Sequence, residues 1–174
     1  MIRTFIAVDL PKSFIPIIKN IQHELRIPGI KLVEPELVHI TLKFLGDVHE
    51  NSIQPIASAL SHVRCKPFQA SIKGIGMFGF RVIWLGAYGN FKVLHEEIEK
   101  ALQAFRFEKD TRFSPHATLA RVKMLKQKEL ILEKIKKLED IEVGSFDVNS
   151  ILMKKSTLTP KGPVYQTLRE IKLL

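Results

Sequence analysis

The chain has 174 residues, of which 45% are apolar and 26% charged, and its formal net charge is +9. This length suits one compact domain or two small lobes that share a core. No apolar run approaches the ~18 residues of a membrane-spanning helix. The single cysteine, Cys65, excludes an intramolecular disulfide and a cysteine zinc cluster. The positive charge favours polyanionic partners, nucleic acid above all.

The first ten residues are mostly apolar, but the segment is too short for a signal peptide and contains Asp9. It also lacks the small-residue cleavage site that a signal peptide needs. We therefore expect a buried first strand here, and we interpret the chain as a cytoplasmic protein that does not enter a membrane. Cys65 is expected to be a small buried apolar residue.

Apolar residues along the chain alternate with period two or recur every three to four residues. In chain order these patterns predict a strand at residues 2–9, a helix at 11–26, a strand at 38–45, a helix at 52–64, strands at 68–75 and 81–87, a helix at 90–107, a strand at 116–122, a helix at 127–140, and strands at 142–154 and 164–172. Turns are predicted at 76–79 and 159–163, and Asn90 is expected to cap the third helix. The mixture indicates an α+β or α/β fold, and the lack of a linker indicates a single domain over residues 1–174.

Two His-x-Thr-Leu tetrads stand out, at residues 39–42 and 116–119. Each lies on a predicted strand that is followed by a helix, which suggests an internal duplication. Side chains of a strand alternate between its two faces, so the histidine and threonine of each tetrad share one face. One tetrad has little specificity because short patterns arise by chance, but two copies in the same context indicate function.

Two imidazole–hydroxyl pairs suit cleavage of a phosphodiester. One group must take a proton from the nucleophile and another must protonate the departing oxygen, on opposite sides of phosphorus. Histidine can fill both roles near neutral pH. The hydroxyls of Thr41 and Thr118 can donate hydrogen bonds to phosphate oxygens, where charge gathers in the transition state. We therefore predict that His39 and His116 are catalytic, with the two threonines beside them.

Zinc ligation by the two histidines is the competing chemical interpretation. No third ligand or neighbouring carboxylate is evident from the sequence, so we predict no metal and no other cofactor. The other four histidines lack the tetrad context and are interpreted as surface or structural residues: His23, His49, His62 and His95.

These residues resemble the two-histidine (2H) phosphoesterase superfamily, and within it the RNA 2′,3′-cyclic phosphodiesterases, also called 2′-5′ RNA ligases. The similar segments are residues 3–11, 39–46, 76–86, 116–121 and 162–165. The resemblance implies two lobes, each an antiparallel sheet with helices on its outer side, and an active-site cleft between them. It also implies hydrolysis of a 2′,3′-cyclic phosphate at an RNA end to a 2′-phosphate, with 2′-5′ ligation as the possible reverse reaction.

The same resemblance implies roles for individual residues. His39 corresponds to the proton donor and His116 to the proton acceptor, while Arg121 would add positive charge to the phosphate pocket. Arg121 lies five positions after His116, so regular alternation would turn it away from the cleft. A bulge, the end of the strand or a different role would each resolve this conflict. Tyr165 and Phe5 are candidates to stack on a base or ribose, with core packing as the alternative.

Two other functions stay open on sequence alone. The first is an RNA-binding module without turnover, which the charge and the aromatic residues would suit. The second is a phosphodiesterase of the same fold that acts on a small cyclic nucleotide. The basic charge favours the polymer, and we expect the protein to be a monomer.

Overall fold

The computed structural model describes every residue from Met1 to Leu174. Nine antiparallel strands form one sheet, and four α-helices pack against it. The strands are β1 (Ile2–Asp9), β2 (Ile30–Leu32), β3 (His39–Val48), β4 (Phe68–Phe78), β5 (Val82–Tyr88), β6 (His116–Val122), β7 (Glu142–Val148), β8 (Ser150–Thr159) and β9 (Gly162–Lys172). The helices are α1 (Ile15–Glu24), α2 (Ile53–Leu60), α3 (Phe91–Ala101) and α4 (Lys128–Lys137).

The sheet consists of two halves in mirrored order. The strands run β7-β4-β5-β6-β3-β1-β8-β9, and β2 adds to β6. We call β3, β1, β8 and β9 the first lobe, and β6, β5, β4 and β7 the second lobe. The lobes are joined by β3 and β6, whose ladder contains one residue pair, Ile40 with Ala117. The predicted α+β fold with two lobes is confirmed.

Two helices pack across the join rather than on the lobe that precedes them in the chain. Helix α1 follows β1 of the first lobe but contacts β6, and α3 follows β5 of the second lobe but contacts β3. The other two helices stay on their own side, with α2 against β9 and α4 against β4. One continuous cluster of 37 buried residues lies between helices and sheet. The exchange of α1 and α3 ties the two lobes to each other.

Each tetrad ends in a β-bulge. Leu42 in β3 and Leu119 in β6 have no partner in the ladders with β1 and β5. In both strands the leucine and the next residue, Lys43 or Ala120, are buried in succession, which breaks the alternation. The bulges therefore bend the two strands directly after the histidine and threonine of each tetrad.

Buried polar side chains from the exchanged helices satisfy the carbonyl groups of the bulge residues. Gln22 of α1 donates to the Leu119 carbonyl at 3.0 Å and to the Val33 carbonyl at 2.6 Å. His95 of α3 donates through Nδ1 to the Leu42 carbonyl at 2.9 Å. A buried carbonyl without a partner costs free energy, so these two side chains stabilise the bulges and the helix positions together.

The predicted turn at residues 76–79 is wrong in part, because Gly76 lies inside β4. A Cβ atom on Gly76 would lie 2.4 Å from the ring of Trp84 on β5. This glycine therefore allows a close approach between strands and does not form a turn. The turn begins at Gly79, whose φ of 52° lies in the left-handed region.

The predicted strand at 142–154 is also wrong, because it is two strands separated at Asn149. β7 pairs with β4 in the second lobe, and β8 pairs with β1 in the first. The chain thus crosses between the lobes at Asn149, where no glycine or proline marks the break in the sequence. Strand β2 was not predicted, and Asn90 stands at the start of α3 without a capping hydrogen bond from its side chain. Cys65 is buried, as predicted.

The helices of this fold are short, and none is long and apolar enough to cross a membrane.

Replacement of Gln22 by leucine should lower the free energy of unfolding by about 1–3 kcal/mol. The leucine has a similar volume but donates no hydrogen bond, so the Val33 carbonyl loses its side-chain donor and the Leu119 carbonyl keeps only the Val33 N–H. Urea unfolding measures the change, with Gln69→Leu on the exposed side of β4 as the control. Equal stability of the Gln22 variant and the control would contradict the role assigned to this side chain.

Candidate active site

The pairing of Ile40 with Ala117 places both tetrads on one surface. These two residues face each other and are completely buried in the core. Their neighbours on each strand must point to the opposite side of the sheet, and in an antiparallel register each histidine lies across from the threonine of the other tetrad. The structure thus brings four predicted site residues together, all partly exposed: His39, Thr41, His116 and Thr118.

Both histidine rings are oriented by the same backbone contact. Nδ1 of His39 lies 2.7 Å from the Leu37 carbonyl, and Nδ1 of His116 lies 2.6 Å from the Ser114 carbonyl. A carbonyl oxygen can only accept, so Nδ1 carries the hydrogen and Nε2 of the neutral ring is the free base. Nε2 of His39 lies 2.9 Å from the Thr41 hydroxyl. Both rings therefore expose the nitrogen needed for proton transfer.

Burial is the largest influence on His39 and lowers its pKa from the ordinary value of 6.5. The hydrogen bond to the Leu37 carbonyl raises the pKa in part. Nearby charges act in both directions, since Lys154 and His116 lower it and Asp9 raises it. The influence of His116 indicates that the two imidazoles lie close enough to interact.

Aromatic rings border both histidines. The Phe5 ring centroid lies 5.2 Å from that of His39, and Tyr165 meets the same imidazole edge-on at 5.3 Å. On the second lobe, Phe78 approaches His116 edge-on at 4.9 Å. Phe5 is only 3% exposed, so it supports the rings of His39 and Tyr165 and offers little surface to a ligand.

The bulge at Leu119 turns Arg121 to the tetrad side of β6. Its side chain is exposed, and its charge reaches Tyr165 across the join between the lobes. Of the three explanations offered from the sequence (a bulge, the end of the strand or a different role), the structure shows the bulge. The matching bulge at Leu42 turns Phe44 to the same side of β3, where it is 68% exposed. Equivalent positions thus carry an arginine on one lobe and a phenylalanine on the other.

Burial raises the pKa of the Tyr165 phenol, while the positive charges of Arg121 and Arg3 oppose part of that shift. The phenol therefore stays protonated at neutral pH and can donate a hydrogen bond.

An ion pair beside His39 was not found by sequence reasoning. Nζ of Lys154 lies 2.7 and 2.8 Å from the two carboxylate oxygens of Asp9, and the lysine side chain is only 10% exposed. Asp9 pairs with His39 across β1 and β3. Nothing in the sequence distinguishes Lys154 from the adjacent Lys155, since the register that brings it to Asp9 depends on the pairing of β1 with β8.

His95, for which the sequence predicts a surface or structural role, is buried and structural, since its Nδ1 donates to the Leu42 carbonyl. No group of three or more histidine, cysteine, aspartate or glutamate side chains is arranged to hold a metal ion.

The model of the LigT-like phosphoesterase family matches the chain over residues 8–84 and again over residues 87–165. Each matched segment contains one tetrad. The chain belongs to the LigT-like phosphoesterase family. The two matches agree with the mirrored strand order and with the duplication suggested by the sequence.

Relatives in this family span almost the same length. The chain is 38% identical to the RNA 2′,3′-cyclic phosphodiesterase of Methanocaldococcus jannaschii, covering 97% of this chain and 99% of that protein. It is 37% identical to the protein of the same name from Archaeoglobus fulgidus, covering 96% and 98%. Among solved structures, TT0787 of Thermus thermophilus is 31% identical with a TM-score of 0.80, covering 98% of this chain and 97% of that one. E. coli LigT shares the fold, at 21% identity and a TM-score of 0.81 over 99% and 98%.

The neutral forms of His39 and His116 should both carry their proton on Nδ1. Free imidazole side chains favour the proton on Nε2, but the Leu37 and Ser114 carbonyls can only accept a hydrogen bond. Long-range ¹H–¹⁵N NMR spectra at high pH distinguish the two forms, with the exposed His23 as an internal reference. A proton on Nε2 of either catalytic candidate would rule out the proposed ring orientation.

Proposed function

We propose that this phosphoesterase hydrolyses a 2′,3′-cyclic phosphate at an RNA end and leaves a 2′-phosphate. The observation that carries the proposal is the pairing of Ile40 with Ala117, which sets two imidazole–hydroxyl pairs opposite each other on one open surface. The names of the relatives at 37–38% identity support the substrate. The net charge of +9 suits a polyanionic substrate.

The reaction needs two proton transfers at opposite ends of an in-line displacement. His116 takes a proton from water through Nε2 as the water oxygen bonds to phosphorus. The bond from phosphorus to the 3′-oxygen breaks, and His39 gives the departing oxygen a proton from its own Nε2. His116 ends protonated and His39 neutral, and exchange with solvent restores the starting state. The assignment of acid and base follows the resemblance, and the symmetry of the two tetrads permits either direction.

The hydroxyl of Thr41 would change partners with the charge of His39. In the neutral state Thr41 donates to Nε2 of His39, because that nitrogen has no hydrogen. When His39 is protonated, Nε2 becomes the donor and the hydroxyl hydrogen is released toward a phosphate oxygen. The negative phosphate favours protonated His39 and so offsets the effect of burial. Thr118 would hold the phosphate from the other lobe.

Arg121 and Tyr165 would complete the pocket. The guanidinium supplies positive charge on the second lobe, and the phenol supplies a donor or an aromatic face on the first. Phe5 would act by supporting the rings of His39 and Tyr165, because its own surface is covered.

The same geometry would accept a ribose 5′-hydroxyl in place of water. Attack by this hydroxyl on the cyclic phosphate would join two RNA ends through a 2′-5′ linkage. The expected independence from metals, the monomeric state and the cytoplasmic location all stay predictions.

Replacement of either His39 or His116 by alanine should lower the hydrolysis rate by a factor of roughly 10² or more, because each removes one proton transfer. The assay follows an RNA oligonucleotide with a 2′,3′-cyclic phosphate end in the presence of EDTA. His23→Ala, at an exposed histidine of α1, is the matched control and should keep wild-type activity.

Full activity in either tetrad variant would contradict the paired mechanism, and loss of wild-type activity in EDTA would contradict independence from metals. Salt-sensitive RNA binding without any product would instead support a binding module. A cyclic mononucleotide assayed in parallel tests the remaining alternative, which predicts faster turnover of the small substrate than of the oligonucleotide.

A further inference from the structure

Lys154 is a buried lysine that the proposed mechanism does not use. Removal of an ammonium group from water is costly unless the charge is paired. Here both carboxylate oxygens of Asp9 accept from Nζ at 2.7 and 2.8 Å. The Asp9 side chain is itself about half exposed, so water can still solvate its carboxylate. The buried ammonium group of Lys154 is therefore the partner that depends on this contact.

The sheet register explains how the ammonium group of Lys154 comes to lie beside Asp9, the residue that pairs with His39. Lys154 pairs with Phe5, while Asp9 lies four residues further along β1 and pairs with His39. Residues at odd positions of β1 share one face, so Ala7 lies between Phe5 and Asp9 on that face. The side chain at this position is a single methyl group, and Nζ of Lys154 reaches the Asp9 carboxylate beyond it. The ammonium group therefore ends beside the residue opposite His39.

We propose that Lys154, held by Asp9, is a positioning residue for the reaction. Its ammonium group is kept beside His39 so that the imidazolium gives up its proton readily to the departing 3′-oxygen. The proposal rests on the proposed function, since it deepens the role of His39 as the acid. Lys154 does not touch the reacting atoms and acts through the imidazole.

The groups that face His39 come from four strands. Asp9 lies on β1, Lys154 on β8, Tyr165 on β9 and His116 on β6. The phenol of Tyr165 is neutral, and the arginines near it act on that phenol. Lys154 and Asp9 are therefore a pair of opposite charges whose separate removal should move the acidity of His39 in opposite directions.

Lys154→Met and Asp9→Asn test this pair through the pH profile of kcat/KM. The alkaline limb belongs to the acid, which must be protonated in the free enzyme. Loss of the lysine should raise the pKa of His39, move this limb to higher pH and lower kcat several-fold, because a weaker acid protonates the leaving oxygen more slowly. Loss of the aspartate should move the limb to lower pH.

Lys155→Met is the matched control, because it removes the same charge one residue along β8, where alternation turns the side chain to the other face. It should leave the profile at its wild-type position, as should Lys154→Arg, which keeps the charge. Shifts in the same direction for Lys154→Met and Asp9→Asn, or equal profiles for Lys154→Met and Lys155→Met, would overturn the proposal.

An NMR titration of His39 in the ligand-free variants measures the same opposite shifts without turnover. If the proposed function is wrong, the wild-type protein will not hydrolyse the cyclic phosphate. The titration shifts of His39 still test the effect of Lys154 in that case, because they need no turnover. If Lys154→Met does not fold, Asp9→Asn decides alone, since its half-exposed site tolerates the change. An unchanged His39 titration in Asp9→Asn would then reject the pair.

Discussion

The pairing of Ile40 with Ala117 is the contact on which the site depends. It is the only ladder pair between β3 and β6, and it joins two lobes of four strands each. Because these two residues face the core, the histidine and threonine on either side of each must face outward together. The bulges directly afterwards bend the strands, and the ladder between β3 and β6 does not extend beyond this pair.

Bulges so close to the candidate catalytic residues require support from the rest of the fold. The helices that exchange lobes provide it, with Gln22 and His95 donating to the two bulge carbonyls. Helix α1 follows a strand of the first lobe and packs on the second, and α3 does the reverse. The positions of the two tetrads are therefore linked. The stability of the core and the alignment of the site therefore rest on the same contacts.

The two lobes share one strand arrangement but place different residues around their histidines. On the first lobe His39 is desolvated, bordered by Phe5 and Tyr165, and accompanied by the Asp9–Lys154 pair. On the second lobe His116 lies beside Phe78, and Arg121 occupies the place that Phe44 has on the first. The two tetrads thus share one pattern but stand in different surroundings, which is what two histidines with different proposed roles require.

Sequence reasoning predicted the parts that depend on local pattern. The strands that hold the two tetrads, and the shared face of each histidine and threonine, follow from alternation alone. The direction of Arg121 could not be predicted, because a bulge arises from pairing with a neighbouring strand. The break at Asn149 and the reach of Lys154 to Asp9 likewise depend on which strands become neighbours. The role of Gln22 could not be predicted either, because the Val33 and Leu119 carbonyls to which it donates are distant in sequence.

Both tetrads are proposed to act on one phosphorus atom. A crystal structure with a nucleoside 2′-phosphate, the proposed product, would show whether they do. The phosphate should lie between the Nε2 atoms of His39 and His116 and accept hydrogen bonds from the hydroxyls of Thr41 and Thr118. A phosphate that contacts only one tetrad, or that binds elsewhere on the protein, would contradict this proposal.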